Sequence, residues 1–172
     1  MTGFAEGFEA CRNTILERYR VPVSLGFTIN NDPGVFDGMT ICINVCLPIE
    51  TKLFVLAHLF GHTVQWNISE SLRILGLDTA PGKKEEQLGP IFLYEQEASR
   101  YGLQLMHEAG IKDRDQWLSD WFVADWKFLK HYFLTGEFLE SAKLLEPGIG
   151  DPLVPLAIPR FIPQPWPSRS AF

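Results

Sequence analysis

The chain has few of the features that mark secreted proteins. It carries only three cysteines, and this odd number does not suit a secreted disulfide framework. Cys42 and Cys46 lie four positions apart on a predicted strand, roughly 13 Å along it, which is too far for them to share one metal ion. We therefore interpret these two side chains as buried thiols.

Long apolar runs and basic stretches are also missing. No segment approaches the roughly 20 apolar residues that a membrane-spanning helix needs, and no charged-then-apolar leader opens the chain. The net charge of -6 and the lack of a basic stripe argue against a nucleic-acid partner. We expect a cytoplasmic protein that binds neither membrane nor nucleic acid.

The hydrophobic pattern predicts an α+β fold. Apolar residues recur at helical spacing over residues 4–20, and β-branched and aromatic residues over 23–29 and 39–47 indicate strands. Asp37-Gly38, between them, is a strong hairpin signal. We expect helices packed around a small antiparallel sheet of about three strands.

The second half of the chain is predicted to be helical, followed by a different kind of segment. Helices are predicted over residues 50–66 and 92–109, and an aromatic-rich, mostly buried one over 113–133. Six prolines then punctuate residues 151–172, which favours extended chain. We predict one domain over 1–150 and a tail over 151–172 that packs on it; a partner-binding strap is the alternative.

Two histidines are the first candidate functional residues. His58 and His62 are four positions apart on one predicted helix, so both imidazoles lie on the same face and can converge on one ion. Zinc is the natural occupant of such a site. Two partly buried core histidines remain the alternative for a pair without a third ligand.

Glu95 is the candidate third ligand. It shares a face of the next long helix with Ala98, Ser99 and Gly102, and these small residues suit a close approach to the histidine helix. Glu97 lies roughly 200° away around the helix axis. We therefore expect Glu97 to lie outside the site.

These segments resemble the ImmA/IrrE family of metallopeptidases, a zincin-like group. Residues 34–41 and 43–44 resemble the strand segment that precedes the family's active helix. Residues 54–58 with Gly61-His62 resemble its F-x-L-A-H-E-x-G-H helix, and Glu95 with Ala98 resembles its E-x-x-A ligand helix. The resemblance covers roughly residues 8–106, and the histidine helix is its most specific part.

The resemblance implies a zincin-like fold, zinc held by His58, His62 and Glu95, and protein substrates such as transcriptional repressors. The chain departs from the family at Leu59, where the family has the glutamate that takes a proton from zinc-bound water. It also has Ser99 where the family often has Asp or Asn, a position that orients a ligand histidine.

Two hypotheses follow. The first is a zincin-like domain, with or without zinc, that has lost hydrolysis and acts by binding a protein or as a structural module. The second is an active zinc endopeptidase that cleaves a regulatory protein with an unusual base. The nearest acids along the sequence are Asp32, Asp37 and Glu97, and none has a position that the sequence fixes beside the histidines.

Overall fold

The computed structural model describes the backbone of residues 1–171 and the side chains of residues 1–170. These residues form five α-helices and four strands, so the predicted α+β class is confirmed. No helix in this part of the chain is long and apolar enough to cross a bilayer. In chain order the elements are α1 (Phe4–Tyr19), β1 (Val23–Gly26), β2 (Gly34–Phe36), β3 (Ile41–Asn44), α2 (Ile49–Ile68), α3 (Glu70–Leu77), α4 (Leu88–Glu108), α5 (Asp115–Thr135) and β4 (Arg169–Ala171).

The sheet is mixed and has four strands, so the prediction of about three antiparallel strands is wrong. Its order is β1-β3-β2-β4. β3 pairs with β1 in parallel and with β2 in antiparallel, and β4 pairs with β2 in antiparallel. The chain reverses once between β1 and β2 and again between β2 and β3. Because β3 then inserts next to β1, the two reversals make that pair parallel.

The predicted hairpin at Asp37-Gly38 joins β2 to β3. The Asp37 carboxylate accepts hydrogen bonds from the backbone N–H groups of Met39 and Thr40, at 2.9 and 2.7 Å. Gly38 has φ +86°, which a residue with a side chain rarely adopts. The prediction that Cys42 and Cys46 are buried is wrong: Cys42 is half-buried and Cys46 is exposed, because β3 ends before it.

α2 and α4 pack with their backbones in contact. A Cβ atom added to Gly61 would lie 1.9 Å from the Ala98 carbonyl oxygen, and one added to Gly102 would lie 2.6 Å from that of Ala57. Only glycine permits so close an approach. Since His58 follows Ala57 and Glu95 lies one turn before Ala98, this contact places the candidate ligands opposite each other.

Residues 151–168 follow the surface without forming a helix or strand. The Leu153 N–H donates to Ser119 Oγ of α5 at 3.0 Å, and the Trp166 N–H donates to the Asp37 carbonyl at 2.7 Å. The chain then enters β4, beside the site described below. The predicted tail ends at Phe172, which lies outside the described residues.

Candidate metal centre

Three side chains from α2 and α4 converge on one point. His62 Nε2 lies 2.9 Å from Glu95 Oε2, His58 Nε2 lies 3.1 Å from the same oxygen, and the two Nε2 atoms are 3.0 Å apart. All three residues are buried. Two imidazole nitrogens and a carboxylate oxygen at this spacing are a donor set that could bind a metal ion.

The orientation of His62 is fixed by Gln65. The Gln65 amide nitrogen lies 2.9 Å from the Tyr94 carbonyl and 3.2 Å from Glu97 Oε1, and both are acceptors. Gln65 Oε1 must therefore face His62 Nδ1, 2.9 Å away, so Nδ1 carries the proton. The lone pair of His62 is consequently on Nε2, the nitrogen that points at Glu95 and His58.

His62 is also held in its neutral form. Burial lowers its pKa to about 4, an effect that the nearby Glu95 offsets only in part and the His58 charge reinforces. The ring lies between Phe36 and Tyr94, with centroid distances of 5.7 and 4.6 Å. A neutral, positioned imidazole with an inward lone pair is the form that ligates a metal ion.

His58 differs from His62 in the direction of its pKa shift. Burial lowers the pKa of His58, but the hydrogen bond to Glu95 and the charges of Asp125 and Glu95 outweigh burial and raise it. Its Nδ1 lies 3.2 Å from Ser99 Oγ, so the predicted orienting residue is in contact with it. A metal ion at Nε2 would compete with protonation of that nitrogen.

The two oxygens of Glu95 have different partners. Oε2 faces the histidines, whereas Oε1 lies 3.4 Å from Nη2 of Arg169, a buried residue of β4. Burial alone raises the pKa of Glu95, but interactions with His62, His58 and Arg169 hold it well below its usual range. Glu95 is therefore ionised, as a ligand must be.

Asp125 of α5 is a further acid that faces this group. Its Oδ2 lies 3.9 Å from His58 Nε2, and the residue is 7% exposed. Burial raises its pKa to about 6, despite the opposing charges of His58 and Arg169. A carboxylate that the sequence analysis did not consider therefore lies beside the histidines.

Leu59 lines a cavity of about 30 Å³ beside the ligands. His58, His62, Glu95, Asp125 and Arg169 also border it, together with apolar side chains. This volume has room for about one water molecule. Position 59 thus faces the site, but contributes only an aliphatic wall.

The acids considered from the sequence lie elsewhere. Asp37 accepts the hairpin N–H groups, Asp32 lines a separate groove, and Glu97 accepts a hydrogen bond from Gln65. The prediction that Glu97 stays outside the ligand group agrees with this position. Glu97 is nevertheless connected to the site, because it accepts a hydrogen bond from Gln65, the residue that orients His62.

Three residues of the site were missed from the sequence: Gln65, Asp125 and Arg169. Asp125 had a usable signal, because it is an acid flanked in α5 by aromatic and aliphatic residues, and such an acid is buried only for a reason. Gln65 lies one turn after His62 on α2, where it can reach back to that ring. Arg169 offered no local signal.

Comparison of the chain with protein-family models, curated proteins and solved structures finds no match.

Proposed function

We propose that the chain is a zinc-binding domain of the ImmA/IrrE metallopeptidase type that has lost efficient hydrolysis and acts by binding a regulatory protein. One observation carries the proposal: the Nε2 atoms of His58 and His62 and Oε2 of Glu95 lie within 3.1 Å of one another. Two neutral-imidazole nitrogens and one carboxylate oxygen are a donor set of catalytic zinc sites.

Zinc fits this donor set better than a hard cation does. Calcium and magnesium prefer sites made of oxygen, whereas imidazole favours zinc and its transition-metal neighbours. When bound, zinc would polarise a carbonyl or acidify a water molecule. The chain's own contribution is to hold His62 in the ligating tautomer through Gln65 and to keep Glu95 ionised through Arg169.

The absence of efficient hydrolysis is proposed on two grounds. Leu59 cannot accept a proton, and general acid–base groups are worth about 10²–10⁴ in rate. The cavity beside the ligands, about 30 Å³, is too small for a peptide group and its side chains.

Metal content of the purified chain tests the proposal. After equilibration with zinc and removal of excess, we expect about one zinc ion per chain, because His58, His62 and Glu95 together form one donor set. The His58→Ala variant should lose zinc binding. The His131→Ala variant, which changes a histidine of α5 outside the group, should keep it. A wild-type chain without zinc, or equal zinc in both variants, contradicts the proposal.

Asp125 favours a second candidate function, a zinc-dependent endopeptidase of a regulatory protein with Asp125 as its base. A carboxylate with a pKa of about 6 accepts a proton near neutral pH, and Asp125 lies 3.9 Å from a ligand nitrogen. The test is to incubate zinc-loaded protein with cell lysate and look for protein fragments. Fragments that are missing in the presence of chelator and with the Asp125→Asn variant would establish this function in place of the first.

Leu59→Glu tests why hydrolysis is weak. If the missing base is the cause, this variant should cleave an unfolded protein substrate about 10²–10⁴ times faster than the wild type, in a chelator-sensitive manner. Leu59→Gln is the matched control, because glutamine has the same shape as glutamate but cannot accept the proton. A zinc-loaded but inert Leu59→Glu variant would show that residue 59 is not the cause, and would leave the closed cavity as the remaining explanation.

A further inference from the structure

We infer that the edge of β2 that pairs with β4 is the docking surface for an extended, basic segment of a protein partner, and that β4 occupies this edge in the partner's absence. The inference rests on the proposed function, because it names the surface through which the domain would bind its partner.

β4 lies on β2 as an added peptide would. Gly34, Val35 and Phe36 pair in antiparallel register with Ala171, Ser170 and Arg169. Extended peptides commonly bind proteins by adding a strand to a sheet edge, where the main chain gives affinity and alternate side chains give specificity. The last strand of this chain is therefore a template for the segment that the edge accepts.

The side chain that gives specificity here is Arg169. It is buried, and its guanidinium lies 3.4 Å from Glu95 Oε1 and 3.4 Å from the Tyr94 hydroxyl. Any segment that replaces β4 must supply a cation at this point, because Glu95 would otherwise lose a charged partner in a buried place. An arginine or lysine at the position of Arg169 meets this need.

The space for a longer segment is present beside β4. A groove of about 920 Å³ is bordered by Arg169 and Ser170, which also border the small cavity at the ligands. Its walls include Leu47, Leu77 and Phe138. Departure of β4 would join groove and cavity, so a bound segment could contact both apolar walls and the metal group.

β4 can leave without disrupting a helix or another strand pair. It is three residues long, lies at the sheet edge, and follows a stretch, residues 151–168, that has no regular structure. Its nearest anchor is Trp166, whose N–H donates to Asp37 and whose ring packs under the Arg73 guanidinium, 3.6 Å away. The backbone pairing of a short edge strand opens at low free-energy cost, so the main cost of departure is the loss of the buried Arg169–Glu95 contact, which an incoming cation restores.

A synthetic peptide tests the surface on the chain of residues 1–172. The probe is a fluorescein-labelled peptide with the sequence of residues 163–172, and its binding is followed by anisotropy. Arg169→Ala in the protein should raise the affinity for the peptide about tenfold, because the competing state in which β4 pairs with β2 becomes less populated. Arg160→Ala, an exposed arginine of the same stretch, is the matched control and should bind like the wild type.

A reversible lock gives a second measurement that does not depend on Arg169. Cysteines at Val35 and Ser170, which face each other in register, should form a disulfide, in a chain with Cys42→Ser because Cys42 also pairs with Val35. Peptide binding should be absent in the oxidised protein and return on reduction. Three outcomes overturn the inference. They are equal peptide binding by the oxidised and the reduced protein, no peptide binding by any variant, and binding of a peptide with Arg169→Glu as tight as that of the original peptide.

Two further readouts separate the alternatives. A dimer that forms with rising concentration and is lost on oxidation would assign the edge to a second copy of the chain, which overturns the partner assignment. Binding is measured with zinc and with chelator. Normal zinc content without peptide binding contradicts this inference alone, whereas peptide binding without any zinc uptake contradicts the proposed function alone.

Discussion

In the candidate metal centre, the side that carries the three candidate ligands (the ligand side) and the side that covers them (the covering side) are built differently. His58, His62 and Glu95 come from α2 and α4, whose backbones touch at Gly61 and Gly102. The covering residues Asp125 and Arg169 reach the group through side chains, one from α5 and one from a three-residue edge strand. The comparison indicates that the ligand geometry is rigid, whereas access to it depends on contacts that can be exchanged.

The largest effect is expected where the two ligand helices touch. Gly61→Val places a side chain inside the backbone of Ala98, so α2 and α4 must separate. We expect a loss of about 3 kcal/mol or more in the free energy of unfolding, together with loss of zinc binding. Chemical denaturation measures the first effect.

Gly89→Ala is the matched control for Gly61→Val. Gly89 lies in α4, and no atom comes within 4 Å of an added Cβ. We expect its free energy of unfolding to stay within about 0.5 kcal/mol of the wild type. Similar losses in the two variants would contradict the idea that the ligand side depends on direct backbone contact.

The next effect concerns the residue that orients His62. Gln65→Leu removes the acceptor of the Nδ1 proton, so we expect zinc affinity to fall about 10- to 100-fold. Competition with a chromophoric chelator measures it. Glu97→Gln keeps an acceptor for the Gln65 amide and should have a much smaller effect. An unchanged affinity in Gln65→Leu would show that the ring is held by Phe36 and Tyr94 alone.

Cys11 extends the comparison to α1, which packs on α2. Burial raises the pKa of its thiol to about 12, above the value of 9.0 for a free thiol. The protonated thiol therefore favours the folded state, and this stabilisation is lost as the pH rises above 9. We expect a loss of about 1 kcal/mol at pH 10 that is missing in Cys11→Ala. An identical pH dependence of unfolding in both proteins would contradict this.

The smallest effect is expected at Asp125. If three residues hold the metal, Asp125→Asn should change zinc affinity less than about threefold, within the range of a neighbour that is not a ligand. Chelator competition again measures it, with His58→Ala as the reference for a true ligand. A loss comparable to that of His58→Ala would make Asp125 a fourth ligand and would place the covering side in the metal site itself.

The ligand side was accessible from the sequence because its information is local. The spacing of His58 and His62 fixes their relative position within one helix, and the small residues around Glu95 indicate which face of α4 meets them. For the same reason, the sequence could predict the long helices, the hairpin at Asp37-Gly38 and the α+β class. Each depends on neighbours within a few residues.

The sheet and the covering side were not accessible in the same way. Strand order depends on which edge each strand meets, and β4 joins β2 from a distance of more than 130 positions along the chain. The pattern of prolines indicated extended chain over the C-terminal segment, but gave no information on its pairing. The same holds for Arg169, whose partner Glu95 lies 74 positions away.

Residue order alone shows that two imidazoles share a helix face, that a carboxylate follows on a helix able to approach closely, and that position 59 has no proton acceptor. The packing of the folded chain is needed to show that an acid from α5 and an arginine from β4 close the group. The reason is physical: helical periodicity places residues within one element, whereas burial and charge pairing between distant elements depend on how the whole chain packs.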